Sequence, residues 1–277
     1  MKNLSIVNKI KNLLPEGLEE VLRKVSNRSL FRVRRFDPYI KRKNVEGCEF
    51  DFLIGDPDGR DWYDLHCTDP VWSEMAFIRD HMIKKGDVVF DCGAHHGCTT
   101  IILSNWVGDE GKVIAFEPVP KNCEIIKKNI QLNNLTNVIL EEKAVGAGVG
   151  KVNINGASNS RIISSSKGIE VSLTNLDEYR HFKPSLLKID VEGFEREVLK
   201  GAKNILSSIP KLAIEIHTEV LPRFGYQVED LFNLIDVDQY NFWVQWNDEE
   251  QPKEYDIKTL TPIRERVHLF GISKMAR

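Results

Sequence analysis

From residue 87 onward, short runs rich in β-branched and aromatic residues alternate with segments of helical periodicity. These runs predict seven strands, at 88–91, 112–118, 138–145, 186–190, 211–217, 240–246 and 266–273. Apolar residues at helical spacing predict the helices between them, at 98–107, 120–132, 194–207 and about 227–237. Strands that alternate with helices indicate a parallel sheet covered on both faces. Because no helix is predicted between the last two runs, they are expected to form a hairpin with one antiparallel strand.

The N-terminal part of the protein follows another pattern. Helical spacing over 2–36 predicts two helices, and two alternating runs around "DPDGR" predict a β-hairpin within 48–65. The two patterns divide the protein into a basic helical and hairpin extension, 1–80, and an α/β domain, 81–277.

Charge is distributed unevenly along the sequence. The net charge is −3, yet residues 1–43 hold twelve Lys or Arg against four Asp or Glu. This basic arm is a candidate contact for an anionic membrane surface, for a second copy of the protein or for an acidic substrate. The alternative is a solvated helix pair packed on the sheet or on a second subunit.

Cysteine usage and apolar runs bear on the compartment. No run reaches the roughly 18 apolar residues needed to span a bilayer, and no signal peptide is recognised. Five irregularly spaced cysteines indicate a reducing environment. A cytoplasmic location is therefore predicted, with the membrane surface as a further option through residues 1–43.

The segment "DCGAHHGCTT" (91–100) predicts a cofactor-binding turn. Asp91 ends the first predicted strand of the α/β domain, and Gly93 and Gly97 lead into the next helix. A dinucleotide site expects G-x-G-x-x-G facing a pyrophosphate, whereas here G-x-x-x-G follows an acid. The acid suits a ligand that carries an ammonium group and opposes a pyrophosphate. The pattern therefore favours S-adenosylmethionine over NAD.

Further cofactor-binding candidates follow in the sequence. Glu117, at the end of the second strand, can accept hydrogen bonds from both ribose hydroxyls, and Pro118 closes that strand. The remaining candidates lie in the first turn, at the start of the next helix and near the end of the third strand; they are Ala94, His95, Asn122 and Ala144. A zinc site in the Cys- and His-rich turn is disfavoured, because its spacing matches no usual zinc motif.

Acidic residues and a histidine follow the fourth and fifth strands of the domain. Asp190 and Glu192 come after "LLKI", and Glu215 and His217 end "LAIEIH". Residues i and i+2 of a strand share a face, so these four side chains are expected to converge at the cofactor mouth. Asp190, Glu192 and His217 are the candidate catalytic residues, with His217 or Asp190 as general base.

Two alternatives to the catalytic interpretation stay open. A magnesium ion held by Asp190, Glu192 and Glu215 would polarise an acceptor hydroxyl. The other alternative is structural: Glu192 and Glu215 only cap helices or pair with Lys and Arg.

The motifs together resemble the FkbM-type methyltransferases. "FDCGAHHGCTT", "AFEPVPKN", "NNLTNV", "VSLTNLDEY", "LLKIDVEGFEREVLKGA" and "HLFGIS" occur in the family's order over about residues 87–273. The resemblance implies O-methylation of hydroxyls on sugars, glycolipids, polyketides or similar products. It also implies that Asp91, Gly93, Gly97 and Glu117 hold the cofactor, and that Asp190, Glu192 and Gly193 shape the acceptor side.

One residue departs from the family pattern. Where the family usually has Asn, this protein has His95. Because histidine titrates near neutral pH, the substitution predicts a cofactor affinity that depends on pH.

The sequence thus predicts an S-adenosylmethionine-dependent O-methyltransferase of the class I, Rossmann-like fold. Its sheet has seven strands, is mostly parallel and ends in an antiparallel hairpin. The expected acceptor is a saccharide, glycolipid or similar small molecule. An RNA 2′-O-methyltransferase and a non-catalytic nucleoside-binding protein are the alternatives. Nucleic acid is disfavoured as a partner, because the fourth strand ends in Ile-Asp-Val-Glu and lacks the N/D-P-P-Y/F motif expected for methylation of an adenine amino group.

Two features leave their roles open. The polar insertion 150–170 is either a lid over the acceptor or a mobile hairpin. The tryptophans at positions 62, 72, 243 and 246 either stack on a sugar or belong to the core, and such runs more often place tryptophan in the core.

Overall fold

The computed structural model describes residues 36–66, 72–163, 167–246, 250–257 and 266–274. The helices predicted over 2–36 lie almost wholly outside these residues, as does most of the basic arm. Their roles stay predictions.

The strands and helices follow one another along the described residues. In sequence order the strands are β1 (Tyr39–Val45), β2 (Cys48–Ile54), β3 (Val88–Cys92), β4 (Lys112–Phe116), β5 (Val138–Glu141), β6 (Ala144–Val145), β7 (Gly150–Ile154), β8 (Ile162–Ile163), β9 (Ile169–Thr174), β10 (Leu186–Ile189), β11 (Lys211–Ile216), β12 (Tyr240–Gln245), β13 (Lys253–Tyr255) and β14 (Val267–Ser273). The α-helices are α1 (Pro57–Arg60), α2 (Ser73–Phe77), α3 (Cys98–Val107), α4 (Pro120–Leu132), α5 (Glu195–Lys200), α6 (Lys203–Leu206) and α7 (Glu229–Phe232). Segments of π-helix span Asp61–His66 and Ile78–Met82, and segments of 3₁₀-helix span Leu176–Phe182, Leu221–Phe224 and Val237–Gln239.

The main sheet has the spatial order β13-β12-β14-β11-β10-β3-β4-β5. The five strands from β11 to β5 in this order run parallel, and β14 is antiparallel to both β11 and β12. All seven predicted strands contribute to this sheet, so the predicted class I fold is confirmed. An eighth strand, the short β13, adds to the edge beyond β12. The strands wind outward in both directions from β3 and β10, which places the switch point, where such folds bind ligands, between those two strands.

The third predicted strand divides into two. Residues 138–141 form β5 in the main sheet, and the backbone N–H of Lys143 donates to the carbonyl of Glu141, at 2.8 Å, as the backbone turns. β6 then pairs with β9 in a second sheet of order β6-β9-β7-β8. The polar insertion after residue 150 therefore builds a small sheet of its own.

Two of the four predicted helices have the expected bounds, one is broken, and the one predicted over about 227–237 is shorter, since α7 spans only Glu229–Phe232. α3 and α4 match the predicted 98–107 and 120–132. The helix predicted over 194–207 divides at Gly201 into α5 and α6. A Cβ on Gly201 would lie 2.0 Å from the carbonyl oxygen of Gly146, so only glycine allows this close approach of two backbones.

The hairpin predicted within 48–65 is wrong in position. The observed hairpin pairs β1 with β2 and turns at Glu46 and Gly47, one strand earlier. The segment "DPDGR" instead begins a helix, because the Asp56 side chain accepts a hydrogen bond from the backbone N–H of Gly59, at 2.7 Å, and Pro57 occupies the first helical position. An Asp-Pro pair occurs both in turns and at helix starts. Here the capping hydrogen bond of Asp56 stabilises the helix.

The hairpin is fixed to the α/β domain by side-chain amides. The backbone N–H of Leu53 donates to Asn129 Oδ1, at 2.8 Å, and that of Asp51 donates to Asn133 Oδ1, at 3.0 Å. Both asparagines lie at the C-terminal end of α4 or just beyond it. The exposed edge of β2 thereby gains partners for backbone groups that would otherwise need water.

The core lies on both faces of the main sheet. β10 is buried along its whole length, and Phe90, Phe116 and Leu187 pack together with the helices in one apolar cluster. Each such side chain contributes roughly 1.5–3 kcal/mol on burial. Cys92 belongs to the same cluster and is a small apolar core residue. Within the described ranges, no helix is long and apolar enough to cross a membrane.

Candidate active site

The carboxyl ends of β3, β4, β10 and β11 border a cavity of about 570 Å³. Eight of the twelve predicted site residues line it; they are Gly93, Ala94, His95, Glu117, Pro118, Ala144, Asp190 and Glu192. The other four lie behind the wall and support residues of it; they are Asp91, Gly97, Asn122 and His217. Glu215, a ligand in the alternative magnesium site, also lines the cavity. The structure therefore brings together the residues predicted for the cofactor and for the acceptor.

Gly93 lies in the turn after β3, which the sequence predicts to hold the cofactor. Its φ of +88° is in the left-handed region, and its N–H donates to the carbonyl of Phe116, at 2.9 Å. A Cβ at this position would lie 1.8 Å from the carbonyl oxygen of Asp190. The turn after β3 and the end of β10 can approach this closely only because residue 93 has no side chain.

Asp91 lies in β3, two residues before Gly93, and its side chain contacts α3 and Lys188. It is fully buried, and its Oδ2 accepts a hydrogen bond from Thr100 Oγ1, at 2.7 Å, in the first turn of α3. The Lys188 ammonium lies 3.8 Å from Oδ1, and Oδ1 has no hydrogen-bond partner among the described residues. Burial raises the pKa of Asp91, and the Lys188 charge offsets part of that rise. Asp91 therefore contacts α3 through Thr100 and the cavity wall through Lys188.

Glu117 offers a carboxyl group to the cavity from the end of β4. One oxygen accepts from the backbone N–H of His95, at 2.8 Å, and the other accepts from the backbone N–H of Val119, at 2.9 Å, and from Asn122 Nδ2, at 3.2 Å. Burial raises the pKa of Glu117 to about 8, although these donors favour the charged form. Both oxygens are thus held in place at the wall where a ribose is expected.

The raised pKa of Glu117 can be tested in the absence of cofactor, through the pH dependence of stability. Its pKa in the folded protein, about 8, is above the ordinary value of 4.5, so the stability it contributes is full below 4.5 and is lost as the pH rises through 8. Between about pH 5 and pH 8.5, the free energy of unfolding should therefore fall more steeply in the wild type than in Glu117→Gln. Urea denaturation at several pH values measures both slopes.

A neighbouring carboxyl is the control for this measurement. Glu141, at the end of β5, has a lowered pKa, because its hydrogen bonds from Lys143 and Tyr179 outweigh the effect of burial. Glu141→Gln should leave the slope between about pH 5 and pH 8.5 unchanged. Equal slopes in wild type and Glu117→Gln would contradict the assignment.

His95 is held neutral by its surroundings. Its backbone has a φ of +52°, its Nδ1 lies 2.6 Å from the Tyr63 hydroxyl, and its Nε2 lies 2.8 Å from Ser158 Oγ. Burial, together with the stacked ring of His96 at 4.1 Å, lowers the pKa of His95 to about 3. The predicted effect of His95 on the pH dependence of cofactor affinity is therefore wrong, because the residue does not titrate near neutral pH.

The extension and the insertion both contribute to the wall around His95. Tyr63 comes from the π-helical turn after α1, and Ser158 from the insertion between β7 and β8. Ser158 also lies 3.2 Å from His96 Nε2, and its carbonyl accepts from Asn122 Nδ2, at 2.8 Å. Neither residue belongs to a motif, so no sequence pattern identifies them as site residues.

Asp190 and Lys188 are on the same face of β10 and both line the cavity. The Lys188 ammonium lies 3.6 Å from Asp190 Oδ2. Burial raises and the Lys188 charge lowers the pKa of Asp190, and the net shift is downward. The carboxylate of Asp190 is therefore ionised. Lys188 is not among the residues predicted from the sequence, although a lysine inside the apolar run "LLKID" is a signal of a buried charge with a partner.

Glu192 is paired with the insertion. Arg161 donates to Glu192 Oε2 from Nε, at 3.1 Å, and from Nη2, at 3.0 Å. Residues of the same segment, including Ser158 and Ile162, line the cavity. The insertion 150–170 therefore forms part of the cavity wall and contacts both the cofactor side and the acceptor side.

His217 carries a proton. Its Nδ1 lies 2.8 Å from Glu195 Oε1, which also accepts from the backbone N–H of Gly193, at 2.8 Å. Burial lowers and the bond to Glu195 raises the pKa of His217, and the result is about 9. At neutral pH the imidazolium is the dominant form, so His217 is not free to accept a proton there.

Comparison with known protein families identifies the family of this chain. The sequence profile described as "Methyltransferase FkbM domain" matches residues 91–246, more than half of the chain. The chain belongs to the FkbM methyltransferase family. The family's span includes the cofactor turn, Glu117, Asp190 and His217. It leaves out the extension and β14, which also line the cavity.

Two known proteins are similar to parts of this chain. The hexuronic acid methyltransferase AglP of Haloferax volcanii is 30% identical over 154 residues, which cover 50% of this chain and 60% of that protein. The crystal structure of the methyltransferase FkbM of Methylobacillus flagellatus has a TM-score of 0.50 at 18% identity, covering 73% of this chain and 48% of that one. The match to the FkbM structure supports the fold. The chain spans less than two thirds of the length of either relative.

Proposed function

We propose that this protein is an S-adenosylmethionine-dependent O-methyltransferase whose acceptor is a saccharide. The observation that carries the proposal is the contact between the two halves of the site. The turn at Gly93, expected to hold the cofactor, meets the backbone of Asp190, the candidate base, without room for a Cβ between them. A group bound at the turn is therefore next to the acceptor-side carboxylate.

The residues present fit the cofactor. The turn lacks a side chain at Gly93, and Glu117 presents two fixed carboxyl oxygens to the cavity. These features suit a nucleoside whose ribose hydroxyls donate and whose amino-acid tail lies close to the backbone. S-adenosylmethionine supplies an electrophilic methyl group on a sulfonium. Ala94, Pro118 and Ala144 would form the apolar part of its wall.

We assign the role of base to Asp190. During transfer the acceptor oxygen forms a bond to the methyl carbon, the carbon–sulfur bond breaks, and the hydroxyl proton passes to Asp190. Because the pKa of Asp190 is low, the proton moves only as positive charge develops on the acceptor oxygen. Positioning the hydroxyl therefore contributes most of the rate enhancement.

His217 and Glu192 have a supporting role in this proposal. The Nε2 of the His217 imidazolium lies 3.6 Å from Glu192 Oε2, and Glu195 holds its other nitrogen. The imidazolium therefore fixes Glu192 at the cavity wall, where a carboxylate can accept from a second acceptor hydroxyl.

A magnesium ion is not needed for this mechanism. Asp190, Glu192 and His217 can each bring one ligand atom within 4.8 Å of the others. However, Arg161 and the protonated His217 already neutralise Glu192, and Arg266 pairs with Glu215, at 3.0 Å. A metal would have to displace a guanidinium and a proton, so direct transfer is the simpler proposal.

The acceptor class is supported by the relative that acts on a sugar. AglP is named a hexuronic acid methyltransferase, and it matches half of this chain. The RNA alternative relies on the basic arm, most of which lies outside the described residues. A non-catalytic protein would not need a base beside the cofactor turn.

The proposal is tested with the full-length protein and methyl-labelled S-adenosylmethionine. Methyl glycosides of hexoses and of hexuronic acids serve as acceptors, and mass spectrometry measures the gain of one methyl group. We expect labelled product and S-adenosylhomocysteine to form together with at least one glycoside. Tight cofactor binding with no transfer to any glycoside would favour the non-catalytic alternative, and transfer only to RNA would favour the other.

A further inference from the structure

Part of the cavity lining comes from the extension, from α2, from the end of β11, and from the antiparallel strand β14 and the segment before it. We call this part the outer chamber and define it by six residues, Trp62, Trp72, Glu74, Glu215, Arg266 and His268. Apart from Glu215, all of them lie outside the span of the family profile.

Trp62 is exposed although it is a large aromatic residue. Its relative exposure is 45%, and it is one of five large apolar side chains that are exposed in the described part of the protein. It is the one of those five that lines the cavity. The sequence favours a core position for this tryptophan, and for Trp62 that interpretation is wrong. An exposed indole at a cavity wall offers a flat apolar face to a ligand.

The rest of the outer chamber carries opposed charges in fixed positions. Glu215 and His268 are direct neighbours across β11 and β14, and Arg266 Nη1 lies 3.0 Å from Glu215 Oε1. Glu74 Oε2 lies 3.6 Å from His268 Nδ1. Donors and acceptors thus alternate over a small area, and each is held by a partner. A ligand there must itself both donate and accept hydrogen bonds.

We propose that the outer chamber binds one pyranose ring of the acceptor, with Trp62 against the apolar face of the ring and Glu215, Arg266 and His268 on its hydroxyls. This inference rests on the proposed function and adds the site and the mode of recognition. A pyranose combines a face of C–H groups with hydroxyls around its rim, and each hydroxyl donates and accepts. A lipid tail would leave the four charged or titratable groups of the chamber buried against hydrocarbon, which is costly.

The experiment measures binding to the full-length protein in the presence of S-adenosylhomocysteine. The probes are methyl β-D-glucopyranoside, its 6-carboxylate and the acyclic alditol D-glucitol, followed by saturation-transfer NMR and by titration. We expect a pyranoside to bind more tightly than D-glucitol, which has the hydroxyls without the ring. Trp62→Ala should weaken the pyranoside about tenfold, and Trp62→Phe less than about threefold, because an aromatic face is retained.

Two further variants make the result specific. Arg266→Gln should also weaken the pyranoside, and it tests the chamber even if Trp62→Ala proves unstable. Trp106→Ala is the matched control and should bind the pyranoside like the wild type, since Trp106 lies on α3 and does not line the cavity. The affinity for S-adenosylhomocysteine should be unchanged in all of these variants.

The two proposals fail in different ways. Wild-type protein that binds no S-adenosylhomocysteine would overturn the proposed function. If the nucleoside binds, but pyranosides bind no better than D-glucitol or Trp62→Ala binds them like the wild type, only the outer-chamber assignment is overturned. The 6-carboxylate binding more tightly than the neutral glycoside would support the assignment and identify the ring as a uronic acid.

Discussion

Gly93→Ala is expected to weaken S-adenosylmethionine binding by more than about 100-fold. The new methyl group would meet the carbonyl oxygen of Asp190 at 1.8 Å, so the turn after β3 or the end of β10 must move. A displacement of about 1 Å can lower a reaction rate about 100-fold, and here the displaced turn is the one expected to contact the cofactor. Isothermal titration with S-adenosylmethionine measures it, and turnover should fall at least as far.

Gly86→Ala is the matched control for this variant. Gly86 has a φ of +84°, close to the +88° of Gly93, but a Cβ there would meet no atom within 4 Å. Both variants incur the same backbone penalty, about 1–2 kcal/mol, in the free energy of unfolding. Only Gly93→Ala should, in addition, bind S-adenosylmethionine more weakly. Equal cofactor affinities in the two variants would show that the cofactor does not depend on this close approach.

Asp190→Asn is expected to lower kcat by about 10²- to 10⁴-fold, which is the usual contribution of a general base. Asn has the same shape as Asp and cannot take the proton of the acceptor. The affinity for S-adenosylmethionine should change little, because Gly93 and Glu117 are intact. A single-turnover assay with a saturating glycoside separates this loss from any change in acceptor binding.

Asp87→Asn is the control for the loss of a buried carboxylate. Asp87 is buried at the opposite end of the sheet, where it accepts from the backbone N–H of Lys84, at 2.9 Å. Its substitution should lower stability without lowering kcat. A kcat for Asp190→Asn within about threefold of the wild type would exclude Asp190 as the base.

The fold and the cofactor half of the site could be predicted because their signals are local. Pro120 at the start of α4 and the glycines on either side of α3 mark those helices, and their bounds match the prediction. Gly93 lies just after the first predicted strand of the domain, and Glu117 lies near the end of the second, so both can be found from the strand ends. In each case a few neighbouring residues determine the local backbone.

The rest depends on contacts between distant segments. Tyr63, Glu74 and Ser158 reach the cavity from three segments that no periodicity connects. The segment "DPDGR" is ambiguous in sequence because its structure depends on one capping bond. The protonation states of the histidines cannot be predicted from the sequence for the same reason. Burial lowers the pKa of His95 to about 3, whereas Glu195 raises that of His217 to about 9. The pKa values of two histidines in one protein are thus shifted in opposite directions. The sequence reveals the environment of neither residue.

The hairpin and the turns after it have a consequence for anyone who wishes to isolate the catalytic part of the protein. A fragment that begins at residue 81 would keep every family motif. It would nevertheless lose the hydroxyl of Tyr63 that holds His95, the indole of Trp62 and the carboxylate of Glu74. It would also leave the amide side chains of Asn129 and Asn133 without the strand that they hold. We therefore expect the smallest functional unit to be larger than the family domain, and expression fragments should begin before β1.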